Sequence, residues 1–258
     1  MTSLFENTHS KVTEGKGADF CRRVYTVGAL YRLLLPELLS VDKAIYLDCD
    51  IIINLDIADL WNISTENYCM AGVHDISAAG FEEKVRDWLN GCSSAVYVNS
   101  GVLLINLAIL RERGDLFSEA MLWADRHIHL MKYVDQDIIN AIFFKHIKLI
   151  DGRFNNIKPR TRQAMKDSII HLAGGPRAWE ITGLPYQELY WSTYLLSAWG
   201  ENATREELIR TISSYASPSA PKKHRSLLRR IAGRIYHSKT ATISRYIILE
   251  VLCRLKGR

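Results

Sequence analysis

Short apolar runs alternate with segments of helical periodicity through most of this chain, and that alternation limits the fold more than any other feature. Lys43–Leu47, Tyr68–Val73 and Val102–Asn106 read as buried strands, with Ile147–Leu149 and Ile169–His171 as shorter ones. Ala29–Leu39, Phe81–Leu89, Phe117–His129 and Gln136–Phe144 space their apolar residues as helices do. Such alternation predicts an α/β domain built on a mostly parallel sheet with helices on both faces. A chain of 258 residues accommodates one such domain and an appendage. No internal repeat is visible.

The appendage shows itself in the charge. Residues 221–258 hold eleven Lys/Arg and one acid, Glu250, a net of +10, which leaves −5 on residues 1–220. Ser214–Pro221 contains two prolines and reads as a linker. The expected organisation is a domain over 1–213, a linker over 214–221 and a basic helical tail over 222–258. Leu227, Leu228, Ile231 and Ile235 share one helix face in the tail, and Ile243, Ile247, Val251 and Leu255 another. Charge beside an apolar stripe suits an anionic membrane surface. Nucleic acid fits less well, because no aromatic stacking platform accompanies the charges.

Composition removes other classes. With 48% hydrophobic and 24% charged residues, the bulk of the chain is neither disordered nor low in complexity. The apolar run Val102–Leu110 is interrupted by Asn106 and too short to span a bilayer. No charged-then-apolar pattern marks a leader in the opening residues. Cys21, Cys49, Cys69, Cys92 and Cys253 are odd in number and scattered. They suit a reducing cytoplasm better than a disulfide framework or a zinc site. The expected location is cytoplasmic, peripheral at the inner face of the membrane.

Four short segments carry candidate chemistry. Tyr46-Leu47-Asp48-Cys49-Asp50 ends a strand in two carboxylates two residues apart. Ligands of open α/β sheets lie off the carboxyl ends of strands, and paired oxygens there suit Mg²⁺ or Mn²⁺. His171, at another strand end, can add a neutral nitrogen, and Gly174, Gly175 and Arg177 follow it. The glycines permit close approach of a phosphate, and Arg177 can neutralise one. Asn99-Ser100-Gly101 precedes the Val102 strand. Asp135-Gln136-Asp137 opens a helix, with Asp135 placed as its N-cap and Asp137 near the positive helix end. Capping accounts for both acids but leaves Gln136 unexplained.

In this order the four segments resemble family 8 glycosyltransferases, retaining enzymes of the Rossmann-like GT-A fold. The resemblance covers roughly Tyr25–Trp199 and takes in Asn99–Asn106 and His171–Trp179. It implies that Asp48, Asp50 and His171 hold Mn²⁺, or Mg²⁺, against the diphosphate of a UDP-sugar. It implies that Gly174 and Arg177 contact the diphosphate and that Arg32 contacts the donor. Asp75 would lie by the donor sugar or acceptor, Asn99 and Asp135 would hold sugar hydroxyls, and Gln136, with Asp137 beside it, would lie beneath the anomeric carbon. Arg177 and Ala178 stand where the family has Lys and Pro.

The expected function is transfer of glucose or galactose from a UDP-hexose to a glycan or glycolipid acceptor. The family opens with a uracil-binding strand, and only a polar stretch precedes Ala29 here, so the first βαβ unit is expected to be missing. Two rival readings are a truncated, catalytically impaired relative acting as a binding protein, and a metal-dependent nucleotidyltransferase. The His171–Trp179 segment weighs against the latter.

Overall fold

The computed structural model describes residues 27–76, 97–127, 131–174 and 185–198. The chain divides into two compact units, one of residues 1–48 and 56–155, the other of residues 49–55 and 156–258.

In the first unit, a 3-10 segment Val27–Leu34 passes into helix α1, Leu35–Leu38. Sequence periodicity predicts one continuous helix over Ala29–Leu39. Pro36 sits in the first turn of α1, where its missing N–H costs nothing, and the tighter winding ends there. The sheet contains β1 Lys43–Leu47, β3 Met70–His74, β4 Val98–Asn106 and β5 Ile147–Leu149, in the order β1-β4-β3-β5. β4 runs antiparallel to both β1 and β3, and β3 runs parallel to β5. Gly72 on β3 is needed for close approach. A Cβ there would lie 3.2 Å from Leu103 and 3.3 Å from Val98.

Helices α2 Ile57–Trp61, α3 Leu107–Glu112, α4 Leu116–His127 and α5 Val134–Phe143 complete this unit. Asp56 caps α2 by accepting the Ala58 N–H at 2.9 Å, and Asn106 caps α3 by accepting that of Ile109 at 3.1 Å. The core gathers Leu30, Leu33, Leu103, Ile105, Leu107, Phe117, Ile138 and Phe143. Cutting a residue such as Leu103 to alanine would cost about 2–5 kcal/mol through lost burial and the cavity left behind.

In the second unit, β2 Ile51–Asn54 and β6 Asn156–Ile157 flank β7 Ser168–His171, antiparallel and parallel respectively. Ile52, Met165, Ile170, Leu172 and Tyr186 form its core, the last from helix α6, Pro185–Leu196.

The α/β class expected from sequence is present, and among the described residues the pairings are mixed rather than mostly parallel. Three of the five described pairings are antiparallel. Alternating periodicity marks strands and crossovers but carries no information on which strand becomes whose neighbour. β4 inserts between β1 and β3 and reverses the direction of both pairings. β4 also begins four residues before the expected Val102, so Asn99-Ser100-Gly101 belongs to the strand. The expected helix Phe81–Leu89, the linker and the basic tail lie outside the described residues. No described helix is long and apolar enough to cross a membrane.

Candidate active site

The first unit contains a connected set of buried polar side chains. Arg32, Asp75, Asn99, Ser100, Asp135, Gln136, Asp137, Asn140 and Asn155 are all buried. Arg32 reaches them from the 3-10 segment. Its Nη1 donates to the Ser100 carbonyl at 2.6 Å and lies 3.2 Å from Asp135 Oδ2. Its Nη2 donates to Asp48 Oδ1 at 3.1 Å, and its Nε to the Ala29 carbonyl at 3.1 Å. The guanidinium carbon stands 4.1 Å from the Tyr46 ring centre, and the Tyr46 hydroxyl donates to the same Asp48 oxygen at 2.8 Å. Two donors thus fix the carboxylate that closes β1, and the Asp48 N–H adds a third tie to the Gly101 carbonyl at 2.8 Å.

β4 supplies the middle of the set. The Ser100 hydroxyl donates to Asp135 Oδ2 at 3.0 Å, and its backbone N–H to Gln136 Oε1 at 3.0 Å. Asp75 Oδ2, just past β3, accepts from Asn99 Nδ2 at 3.1 Å and from Gln136 Nε2 at 3.0 Å. Asn155 donates to Asn99 Oδ1 at 2.8 Å. Asn99, Asp75, Gln136, Ser100, Asp135, Arg32 and Asp48 therefore form one hydrogen-bonded chain across three strands and a helix.

The structure corrects the reading of Asp135 as an N-cap. Tyr133 holds that position and Asp135 lies inside α5, turned to Arg32 and Ser100. Burial holds the Asp135 carboxyl above its ordinary range, against the pull of Arg32 and the Ser100 hydroxyl. Asp137 is fully buried and serves the helix start. Its Oδ2 accepts the Lys132 and Tyr133 N–H groups at 2.6 and 2.7 Å, and its Oδ1 the Tyr97 hydroxyl at 2.5 Å. Burial raises the Asp137 pKa, and these donors oppose the shift.

Asn140 was not foreseen from the sequence. Its carboxamide accepts the Val98 N–H at 2.7 Å and donates to the Val98 and Gln136 carbonyls, each at 2.8 Å. It clamps α5 to the start of β4, and so sets Gln136 against Ser100. A buried asparagine one turn after Gln136 was the available signal.

The second unit holds the remaining candidates. β7 ends at His171, which is buried, and its Nε2 lies 3.4 Å from Oδ1 of Asp50, the residue just before its β2 partner Ile51. Asp50 follows Asp48 by two residues in the chain. Within the second unit Asp50 offers a carboxylate oxygen and His171 an imidazole nitrogen, donors that suit Mn²⁺ or Mg²⁺. Gly174 has φ +71, a left-handed conformation that favours glycine. Arg177 lies outside the described residues.

Residues 6–182, more than half of the chain, match the model of glycosyl transferase family 8. A Haemophilus influenzae protein whose name marks it only as a candidate glycosyltransferase is 35% identical over 127 residues, 49% of this chain and 38% of its own length. The lipopolysaccharide 1,2-glucosyltransferase of Escherichia coli is 28% identical over 198 residues, 68% of this chain and 57% of its own. The chain thus spans between about four and six tenths of these two relatives. Among solved structures, galactosyltransferase LgtC with donor and acceptor sugar analogues superposes with a TM-score of 0.54 at 22% identity, over 80% of this chain and 72% of its own, a likeness of fold. The chain has an α/β fold of the GT-A type. It belongs to glycosyl transferase family 8.

Proposed function

We propose that the chain transfers glucose or galactose, with retention of configuration, from a UDP-hexose to a glycan or glycolipid acceptor. The observation that carries this reading is the chain of buried polar groups from Asn99 to Asp48. Sugar hydroxyls both donate and accept, and carboxylates, carboxamides and a guanidinium on rigid elements match them in number and kind. The names of the E. coli glucosyltransferase and of LgtC favour a hexose.

In this reading Asp135 and Asn99 hold sugar hydroxyls, Arg32 and Asp75 line the donor pocket, and Gln136 lies beneath the anomeric carbon. A carboxamide is a poor nucleophile, so the acceptor attacks from the face that UDP leaves, and the departing phosphate oxygen takes its proton. Gly174 and Arg177 contact the diphosphate. Asp48, Asp50 and His171 would hold a divalent cation, which supplies charge neutralisation on the departing UDP. The domain of residues 1–213 carries the chemistry, and the basic tail of residues 222–258 docks on an anionic membrane from the cytoplasmic side.

Incubation with UDP-glucose or UDP-galactose, Mn²⁺ and envelope glycan extracts tests the reading. The expected result is UDP release and an α-linked product by NMR. A β-linked product, or a chain that neither binds nor cleaves any UDP-sugar, would overturn it.

A further inference from the structure

We propose that Lys158 is a cationic contact for the diphosphate of the sugar nucleotide, set against the bare face of Gly174. This deepens the reading above and rests on it. Lys158 directly follows β6, and its N–H donates to the His171 carbonyl at 3.0 Å, which ties its backbone to the end of β7. A Cβ built on Gly174 would lie 3.3 Å from the Lys158 ammonium. The lysine head therefore rests where any other residue at 174 would place its side chain. Lys158, Gly174, His171 and Asp50 all belong to the second unit.

The backbone supplies a second observation. Lys158 has φ 46, and only Asp167 shares a positive φ among the described non-glycine residues. A lysine has no short polar group to stabilise that conformation locally, as Asn or Asp does. Strain of this kind persists only where the surrounding structure imposes it, and it clusters at active sites and ligand clamps.

Charge supplies the third. The departing UDP carries more negative charge than one divalent cation offsets, so a cation of the protein can share the load. An ammonium with three donors suits a non-bridging phosphate oxygen, and a glycine beside it leaves the approach open.

Lys158→Asn removes the charge and places in the left-handed region a residue that tolerates it. Titration calorimetry of the full chain with UDP, and separately with inorganic pyrophosphate, each with Mg²⁺, reads the effect. The expected result is at least tenfold weaker binding of both probes, a shallower salt dependence, and a thermal midpoint equal to or above wild type. Lys158→Gly should do the same, and Lys158→Arg should recover part of the affinity. Unchanged affinity in Lys158→Asn, or a midpoint that falls together with affinity in both the Asn and Gly variants, would overturn the proposal. Failure of the wild type to bind either probe would instead overturn the sugar-nucleotide reading, and this inference with it.

Discussion

Replacing Arg32 with methionine tests whether the buried set is organised around that guanidinium. The Arg32 and Asp135 side chains are 6% and 7% exposed. Methionine keeps most of the stem but removes every donor. Breaking a buried ion pair on one side costs about 3–5 kcal/mol, because the remaining charge stays buried. In a protein of this size each kcal/mol lowers the melting temperature by about 2–4 °C, so the midpoint should fall by roughly 10 °C near neutral pH.

The loss should also depend on pH. Asp135 can relieve its isolation by binding a proton, and burial already raises its pKa with Arg32 as the main opposing influence. A carboxyl whose folded pKa exceeds its unfolded value holds its proton more tightly in the folded state. Its stabilising contribution is complete below the unfolded pKa and is lost as pH rises through the folded one. Without Arg32 the folded pKa climbs further, and the loss extends to higher pH. Urea denaturation at about pH 5 and about pH 8 should show the variant close to wild type at the lower pH and several kcal/mol weaker at the higher. A variant within about 1 kcal/mol of wild type at both would refute the account of Asp135 as a charge held by Arg32.

Three further outcomes are expected. Asp48→Ala, Asp50→Ala and Asp48→Asn should each abolish transfer; activity within about tenfold of wild type, roughly 1.4 kcal/mol in the barrier, would remove these residues from metal binding. Asp137→Asn should unfold within about 1 kcal/mol of wild type, whereas Asp137→Ala should lose about 1–3 kcal/mol by removing the acceptor of two half-buried N–H groups and of the buried Tyr97 hydroxyl. Equal denaturation midpoints for the two would sink the helix-start role. Removing residues 222–258 should abolish co-sedimentation with anionic vesicles at low salt, each basic residue near the surface contributing about 1 kcal/mol. Undiminished co-sedimentation would place the membrane contact elsewhere.

The metal-site candidates were legible because their placement is local. A run of apolar residues ending in Asp48, and another ending in His171, marks strand ends with donor side chains in any α/β chain. The strand over Asn99-Ser100-Gly101 was hidden, because three small or polar residues look like a loop until their partners are known. Those partners lie far away in sequence: Ser100 meets Gln136 and Asp135, and Asn99 meets Asp75 and Asn155. Asn140 escaped for the same reason, since its partner is the backbone of Val98, 42 residues away. Capping chemistry suggested Asp135 as the N-cap. Tertiary pairing with Arg32 decided its place, and Asp137 took over the helix start.

The buried set also argues for function on energetic grounds. Asp75, Asp135 and Asp137 are at most 5% exposed, and Arg32 is the guanidinium that pairs with one of them. A fold selected for stability alone would do as well with apolar residues of similar volume, because desolvating a charge offsets much of what its partner returns. Two of these acids do work that the fold can use: Asp137 closes a helix, and Asp135 anchors Arg32. Asp75 does neither. It accepts from Asn99 and Gln136, two side chains that could themselves have been apolar. Carboxamides held by a buried carboxylate present fixed donors and acceptors to whatever enters beside them, which is what recognition of a sugar face requires and what a hydrophobic core cannot offer.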